Sequence, residues 1–300
     1  MIAALGLDWC LGEPRRWHPL VGFGAYALRL EAWLHGGDSH NTSAARWRGL
    51  WAVLLAVGPP TLLCALLIEL PWGAVPLQIA VLYLTIGHRS LREHALQVSE
   101  ALNHADLAAA RHRVGLIVSR DTGAMQPVEV ARAAVESVLE NGNDAVFGAL
   151  FWFALVGAPG ALLYRLVNTL DAMWGYRTPR YRYFGWAAAR FDDALNYIPA
   201  RLTALTYSLV GHVAGALRCW GNQAAQWESP NAGPVMAAGA GSLHVSLGGP
   251  AFYHGHWKPR PPLGQGPEPK AHDIVRALRL LARALVLWIA AAITADVLLP

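Results

Sequence analysis

Five apolar segments dominate this sequence and limit the folds that it can adopt. The segments are Leu50–Leu70, Val75–Gly87, Val146–Val167, Ile198–Leu217 and Leu280–Leu299. A helix that crosses a bilayer needs about 20 mainly apolar residues, and the first, fourth and fifth segments meet that length. Only 15% of the residues are charged, against about 25% in ordinary soluble domains. We therefore predict an all-α, polytopic integral membrane protein, a single domain over residues 1–300 with about four or five embedded segments.

The middle of the third apolar segment leaves one alternative open. The third segment contains "GAPG" (157–160) at its middle. Gly and Pro there are compatible with one kinked spanning helix or with two half-helices that turn back, and broken helices at membrane depth need protein or water around them. The sequence "PWGAVP" (71–76) predicts the bend of a helical hairpin between the first two segments.

Three polar regions, 88–145, 168–197 and 218–279, separate the apolar segments. The first is predicted to be mainly helical, and the last is predicted to be an ordered loop followed by a linker over 258–269. No basic run with interleaved aromatic residues suggests nucleic-acid binding. The three cysteines are odd in number and far apart, which argues against a disulfide framework and against a structural zinc site.

The first polar region ends in a helix with acidic residues along it. Pro127 suits the first turn of this helix, and Asn141-Gly142 suits its end. Glu136 and Glu140 are four residues apart and share one face, which is unfavourable without a cation nearby. The alternative without a functional role is a solvent-exposed helix face on which Arg132 pairs with Glu136.

A second group of polar residues lies at the edges of the following apolar segments. Asn168 and Asp171 are three apart, and the stretch "ARFDDALNYIPARLTAL" (189–205) contains two adjacent aspartates. Pro199 is predicted to end or kink that helix. The alternative is ordinary capping by Asp and Asn, with Arg190 and Arg201 reaching to the membrane surface. Paired carboxylates with Asn nearby are, however, a hard-oxygen site of the kind that Mg²⁺ accepts, usually together with substrate phosphate.

These motifs together resemble one known family. The matching stretches are "LGEPRRWHPLVGFG" (11–24), "RDT" (120–122), "VESVLENGND" (135–144), "YRLVNTLDAMWGYR" (164–177), "FGWAAARFDDALNYIPARLTAL" (184–205), "SPNAG" (229–233) and "LGGPAFYHG" (247–255). They resemble, in the same order, the adenosylcobinamide-phosphate synthase family of cobalamin biosynthesis. The likeness is spread over most of the chain.

The resemblance implies a multi-pass enzyme of the bacterial inner membrane that joins adenosylcobyric acid to aminopropanol, or to its O-phosphate, through an amide bond. It also implies ATP and Mg²⁺, with the corrinoid as a substrate and no bound organic cofactor. The lipid bilayer is then an expected partner, nucleic acid is not, and contact with other copies or other pathway enzymes stays open.

On this basis we assign roles to the polar residues. The expected catalytic residues are Asp121, Glu136, Glu140, Asn141, Asp144, Asp171, Asp192 and Asp193. The expected substrate-binding residues are Arg120, Thr122, Asn168, Arg190, Asn196 and Arg201. The expected ligands of Mg²⁺ are Glu140, Asp144, Asp192 and Asp193. We also expect 120–144 and 168–201 to converge on one site.

Two other functions fit the residues alone. A membrane prenyl- or phosphotransferase also uses Asp-rich helices with Mg²⁺, although its acidic motifs usually repeat as similar pairs. A non-catalytic membrane regulator on the same scaffold would not need a metal site, and it should therefore retain its function without Asp192 and Asp193.

Overall fold

A computed structural model describes residues 1–14, 18–36, 42–70, 74–253 and 255–298, which are mainly α-helical. The helices are α1 (Ile2–Leu11), α2 (Pro19–Leu34), α3 (Thr42–Ile68), α4 (Ala74–Thr85), α5 (His88–Asn103), α6 (Leu107–Gly115), α7 (Pro127–Gly142), α8 (Gly148–Val156), α9 (Ala158–Trp174), α10 (Trp186–Val210), α11 (Val213–Gln223), α12 (Ala232–Leu243) and α13 (Ala271–Leu298). A π-helical turn, Asn143–Phe147, connects α7 to α8, and a 3-10 turn, Ala224–Gln226, follows α11. The strands are β1 (Leu247–Gly248), β2 (Ala251–Tyr253), β3 (His256–Lys258) and β4 (Pro262–Leu263). β1 pairs with β4 and β2 with β3, both antiparallel.

The chain divides into two units. Unit 1 comprises Met1–Gly87 and Asp144–Asn196, and unit 2 comprises His88–Asn143 and Tyr197–Pro300. The prediction of a single membrane domain stays a prediction.

The core of unit 1 lies where α2, α3 and α9 meet. Leu170 and Trp174 of α9 are fully buried there, together with Phe184 from the segment before α10. Gly49 of α3 lies directly against the Phe184 backbone, and a Cβ at Gly49 would be 1.9 Å from the Phe184 carbonyl oxygen. The absence of a side chain at this position is therefore what allows α3 to approach so closely.

The "GAPG" sequence turns the chain back on itself. α8 ends at Val156, and Gly157 has φ 72° and ψ −156°, a conformation open essentially to glycine alone. α8 and α9 then pack antiparallel, with Gly148 against the Tyr164 ring and Gly160 against the Trp152 carbonyl. α8 is about 14 Å long and too short to cross a bilayer. The two half-helices are therefore the arrangement adopted, and a single kinked spanning helix is excluded.

Helix α10 continues through Pro199, so this proline does not end the helix, and the predicted kink stays a prediction. Pro199 has no N–H, and the Leu195 carbonyl four residues earlier therefore lacks its helical partner. The indole N–H of Trp152 donates to that carbonyl at 3.0 Å. A side chain of α8 thus replaces the missing backbone donor, which lowers the cost of a proline in the helix.

Unit 2 is arranged around α7, which packs against α5, α6, α12 and α13. α7 begins at Pro127 and ends at Gly142, as predicted, and the chain continues directly into the π-helical turn. A Cβ at Gly142 would lie 2.3 Å from the Tyr207 hydroxyl, and that hydroxyl donates to the Leu139 carbonyl at 3.2 Å. Gly142 is therefore required for close packing as well as for the helix end.

Residues 258–269, which we predicted to be a linker, are ordered against the rest of unit 2. The Gln223 side chain of α11 exchanges two hydrogen bonds with the Gly264 backbone, at 2.7 and 3.1 Å. Gly264 has φ +78°, and a Cβ there would lie 2.0 Å from the Val245 carbonyl oxygen. The Gly- and Pro-rich composition thus reflects turns that touch backbone, and the linker prediction is wrong.

Among the described residues, two helices are long and apolar enough to cross a membrane: Thr42–Ile68 with a mean hydropathy of 2.1 and Ala271–Ala295 with 1.8. Their most apolar windows are only 28% buried, and α3 exposes Trp51, Leu62 and Leu66. This pattern indicates membrane association, but the predicted count of four or five embedded segments is not confirmed. Residues 71–73 of the predicted hairpin bend lie outside the described residues.

The turn at Gly157 gives a first prediction. Gly157→Ala places a Cβ on a backbone that L-residues rarely adopt, and we expect a loss of about 1–3 kcal/mol of stability. The midpoint of thermal unfolding in detergent micelles should fall. Gly22→Ala is the matched control, because Gly22 lies within α2 with nothing within 4 Å of the added Cβ. An unchanged midpoint for Gly157→Ala would contradict the strained turn.

Candidate functional site

A buried carboxylate forms the first polar cluster, which lies in unit 2 and which we call the glutamate cluster (Glu136, Arg120 and Arg260). Glu136 is 2% exposed and accepts a hydrogen bond from Arg120. Arg260 donates to both of its carboxylate oxygens, at 3.1 and 3.2 Å, and the Gly248 amide adds a fourth bond at 2.7 Å. The side chains of both arginines are less than 10% exposed.

Electrostatics keeps Glu136 ionised. Burial on its own would raise the pKa of this carboxyl, but the Arg120 and Arg260 guanidinium groups outweigh burial and lower it below its ordinary value. Charge-assisted bonds of this kind are about twice as strong as neutral ones. Because one carboxylate lies between two cations, the cluster carries a net positive charge.

Local structure explains how the two arginines reach Glu136. Arg120 precedes α7, and its neighbour Asp121 pairs with the β2–β3 hairpin: the Asp121 amide donates to the Phe252 carbonyl, and its carboxylate accepts from the Gly255 amide at 3.0 Å. Arg260 follows β3 and donates to the Gly249 carbonyl at 2.9 Å. The sequence alternative in which Arg132 pairs with Glu136 is wrong, because Arg132 pairs with Glu268 at 2.9 Å.

The other predicted residues of this region differ in their surroundings. The Asn141 side chain donates to the Ser137 carbonyl and hydroxyl within α7, at 2.9 and 3.0 Å. The Thr122 side chain lies beside Gly115, and the Thr122 backbone carbonyl accepts a hydrogen bond from the Met125 amide. Glu140 is partly exposed near the end of α7.

Arg201 binds other parts of unit 2. Its guanidinium donates to the Asn231 side chain at 2.9 Å and to the Pro230 carbonyl at 3.0 Å, and it stacks on Tyr197 with 3.5 Å from its carbon to the ring centre. Arg201 therefore orders the "SPNAG" loop. Its predicted role in substrate binding stays a prediction, and these contacts give it a structural role as well.

The second cluster lies in unit 1, and we call it the aspartate cluster (Asp192, Asn168, Asn196 and Tyr164). The two Asn amides donate to the two different carboxylate oxygens of Asp192, each at 3.1 Å. The Tyr164 hydroxyl donates to the Asn196 side-chain oxygen at 2.8 Å. α9 supplies Asn168 and Tyr164, and the 192–196 spacing on α10 places the other two on one helical face.

Neutral amides hold this carboxylate without cancelling its charge. Burial raises the pKa of Asp192, the two Asn amides lower it in part and the Asp193 charge raises it, and the net result is a pKa of about 6. Burial also raises the pKa of Asp193, although Arg190 opposes this from 3.1 Å. A carboxyl whose pKa is close to neutral is typical of reaction sites.

Two further predicted acids belong to unit 1. Asp144 lies in the π-helical turn, and its backbone carbonyl accepts from the Tyr164 hydroxyl at 3.2 Å. Asp171 is near the end of α9, where its carbonyl accepts from the Gly175 amide at 2.7 Å. π-helical turns are frequent at functional sites, and this one adjoins the aspartate cluster through Tyr164.

The described residues contain no group of three or more His, Cys, Asp or Glu side chains placed to hold a metal ion. Mg²⁺ is commonly held by only one or two carboxylates together with substrate phosphate and water. The oxygen donors of Asp192 and Asp193 fit that chemistry. A shared ion between these residues and Glu140 or Asp144 stays a prediction, as does a single site formed by 120–144 and 168–201.

Two residues of these clusters were missed from the sequence. Arg260 lies in "KPRPPLG", where the surrounding prolines indicated a linker, and no spacing connects it to Glu136. Tyr164 lies in the motif "YRLVNTLDAMWGYR", but an aromatic residue in an apolar segment usually belongs to the core, so the sequence does not assign it to the site. Its position one turn before Asn168 was the available signal.

Comparison with known proteins now identifies the family. The family model described as "CobD/Cbib protein" matches residues 1–281. The chain belongs to the CobD/Cbib family. The family resemblance predicted from the sequence motifs is therefore confirmed, and both clusters, including Arg260, lie within the part of the chain that matches the CobD/Cbib model.

Relatives in this family cover almost the whole chain. The "Cobalamin biosynthesis protein CobD" of Chromobacterium violaceum is 58% identical, over 99% of this chain and 96% of that protein. The proteins of the same name from Mycobacterium tuberculosis and Halalkalibacterium halodurans are 42% and 35% identical, over 91% and 94% of this chain and 88% and 91% of theirs. No solved structure matches the chain.

The glutamate cluster predicts a large effect on stability. Glu136→Gln removes the negative charge and leaves two buried cations uncompensated, which typically costs about 3–5 kcal/mol. We expect a clearly lower thermal unfolding midpoint in detergent micelles. Glu268→Gln, which breaks the more exposed pair with Arg132, should change stability by less than about 0.5 kcal/mol. Equal effects of the two substitutions would contradict the buried role of Glu136.

The same cluster predicts a pH dependence. The pKa of Glu136 is lower in the folded chain than its ordinary value of 4.5, so the unfolded chain binds the proton more tightly. The stability from Glu136 is therefore fully present above about pH 4.5 and is lost as the pH falls through the folded pKa. Unfolding midpoints of the wild type and Glu136→Gln, measured from about pH 7 to pH 3, should converge at the acid end. A gap that stays constant would contradict this prediction.

Proposed function

We propose that the chain forms the amide bond between a peripheral carboxylate of adenosylcobyric acid and aminopropanol or its O-phosphate. Its membership in the CobD/Cbib family, whose relatives are named cobalamin biosynthesis proteins, confirms the predicted role in cobalamin biosynthesis. It also favours that role over a prenyl- or phosphotransferase and over a membrane regulator. We further propose that the chain is an ATP-dependent ligase that uses Mg²⁺ in the bacterial inner membrane.

The observation that supports the proposal is the way in which Asp192 is buried and hydrogen-bonded. A carboxylate that is held at both oxygens by neutral amides, next to a second carboxylate, keeps negative charge in a defined place. This arrangement is typical of a reaction site, since a purely structural acid is usually paired with a cation, as Glu136 is.

The chemistry starts from a poor acyl donor. A carboxylate oxygen of the corrinoid would attack the γ-phosphorus of ATP and release ADP, which gives an acyl phosphate. The amine nitrogen would then attack the acyl carbon, phosphate would leave, and the amine would lose a proton. Asp192 and Asp193 would hold Mg²⁺, which would neutralise phosphate charge during the transfer. The chain's own contribution is to orient the substrates through Asn168 and Asn196 and to exclude water.

The apolar helices of the chain support a membrane enzyme. α3 and α13 have the length and hydropathy of spanning helices, and α10 exposes Ile198, Leu205 and Leu209 after the aspartate cluster. We propose that these faces contact lipid in the inner membrane and that the corrinoid and the amino alcohol are the substrates. Contact with other copies or other pathway enzymes is compatible with this placement.

The test replaces each aspartate of the pair. Asp192→Asn and Asp193→Asn keep the size of the side chain and remove its charge, so we expect amide formation to fall at least about 100-fold while the protein stays folded. The assay follows conversion of adenosylcobyric acid by purified protein with Mg²⁺, ATP and the amine. Asp106→Asn is the matched control, because Asp106 caps α6 through the Ala109 amide and Asn caps equally well.

Two outcomes would contradict the proposal at different levels. Near-normal turnover in both Asn variants would show that neither Asp192 nor Asp193 takes part in the reaction. If the folded wild type shows no turnover with aminopropanol or with its O-phosphate, the proposed amide-forming function itself is contradicted.

A further inference from the structure

The N-terminal end of α3 and the connection between α9 and α10 meet in a group of exposed arginine and tryptophan side chains. We call this group the arginine rim (Arg46, Trp47, Arg177, Arg180, Arg182 and Trp186). The Arg46 guanidinium lies over two rings, 5.7 Å from the centre of Tyr183 and 5.5 Å from that of Trp186. The Arg182 guanidinium lies over the same Tyr183 ring, 5.5 Å from its centre. One tyrosine therefore brings together two cations that are far apart in sequence.

A buried acid fixes the position of the rim. Glu31 of α2 is 2% exposed and accepts two hydrogen bonds from the Arg180 guanidinium, at 2.6 and 2.8 Å, and one from the Trp174 indole at 3.1 Å. Gly49 of α3 contacts the backbone of the same connection, 175–185. The rim is therefore attached to both α2 and α3, and its backbone loses less conformational freedom on binding a ligand than a mobile loop does.

The carboxylates near the rim leave its exposed charge positive. Glu31 is paired with Arg180, and the half-buried Asp193 is paired with Arg190 at 3.1 Å. Arg46 and Arg182 contact aromatic rings, and no carboxylate among the described residues pairs with either of them. Two guanidinium groups at one ring repel each other, so an anion that contacts both would relieve the repulsion.

The arginines of this end of unit 1 also outnumber its carboxylates in the sequence. The six arginines are Arg46, Arg48, Arg177, Arg180, Arg182 and Arg190, and the four carboxylates are Glu31, Asp38, Asp171 and Asp193. Asp38 belongs to the connection between α2 and α3 and lies outside the described residues. An excess of cations therefore remains when every one of these carboxylates is counted as paired.

The order of exposed side chains along α3 indicates which anion fits the rim. Trp47 and Trp51 are exposed one turn apart, directly after Arg46, and exposed leucines follow them toward the end of the helix: Leu54, Leu55, Leu62, Leu63 and Leu66. From Arg46 to Ile68 the helix rises about 33 Å, close to the thickness of the hydrocarbon core of a bilayer. Cation, tryptophan and leucine thus follow one another as the phosphate layer, the interface and the hydrocarbon of a bilayer do. A small soluble anion would contact only the first of these layers.

We propose that the arginine rim binds the headgroup of an anionic phospholipid, with Arg46 and Arg182 as donors to its phosphate and the exposed leucines of α3 against its acyl chains. Guanidinium groups match phosphate with paired hydrogen bonds. Clusters of basic residues beside a spanning helix attract anionic lipids. The proposal rests on the membrane association of α3 and not on amide formation, so a lipid-binding measurement tests it even where the catalytic assay fails.

The experiment is native mass spectrometry of the full-length protein in a non-ionic detergent, with phosphatidylglycerol and phosphatidylcholine of identical acyl chains added together. We expect the wild type to retain phosphatidylglycerol in preference to phosphatidylcholine. The double variant Arg46→Gln with Arg182→Gln should weaken phosphatidylglycerol binding about tenfold or more. The matched control is Arg113→Gln with Arg218→Gln, which removes the same charge from exposed arginines of α6 and α11 in unit 2 and should leave the preference unchanged.

Thermal unfolding midpoints establish that each variant is folded. Exposed contacts between a cation and a ring contribute little to stability, so both double variants should unfold close to the wild type. If the double variant does not fold, Arg182→Gln alone keeps Arg46 on its two rings and should weaken phosphatidylglycerol binding about threefold.

Three outcomes would overturn the proposal. The first is a folded wild type that binds both lipids equally well. The second is a preference for phosphatidylglycerol that the rim variants and the control pair reduce to the same extent, since net charge alone would then explain it. The third is displacement of phosphatidylglycerol by an equal concentration of glycerol 3-phosphate, which carries the phosphate without acyl chains and would identify a site for a soluble anion.

Discussion

The interaction on which unit 2 depends most is the burial of Glu136 between two guanidinium groups. A dehydrated carboxylate is too costly to leave without partners, and here its partners come from three separate stretches of chain: Arg120 before α7, the Gly248 amide in β1, and Arg260 after β3. Removing any one of them leaves part of the charge uncompensated. The Gly- and Pro-rich region after α12 is therefore ordered by an acid that lies far from it in sequence.

Asp192 shows the opposite solution to burying a carboxylate. Its partners are neutral amides, so burial raises its pKa to about 6, whereas the two cations around Glu136 lower the pKa of that acid. The negative charge of Asp192 therefore stays available to a ligand or a proton, whereas the negative charge of Glu136 is compensated by its two arginines. This contrast favours a role for Glu136 in positioning Arg120 and Arg260, while its predicted catalytic role stays a prediction.

Local spacing predicted the parts of the structure that local geometry controls. It gave the bounds of α7, and the helical repeat also explains the contact between Asp192 and Asn196, which are four residues apart. It did not predict Arg260, whose contact with Glu136 closes a long loop, nor the Trp152 donor that replaces the hydrogen bond lost at Pro199. Gly and Pro at 157–160 allow either a kink or a reversal, and the backbone conformation of Gly157 together with the packing of Gly148 and Gly160 decides between them.

The reversal at Gly157 also bears on topology across the membrane. A helical hairpin enters and leaves on the same side, so α8 and α9 together add no net crossing wherever the bilayer lies. The π-helical turn at Asp144 and the Tyr164–Asn168 part of α9 lie at the same end of this hairpin, where the Tyr164 hydroxyl contacts the Asp144 carbonyl. Which side of a membrane that end of the hairpin faces is therefore decided by the other helices and not by α8 and α9.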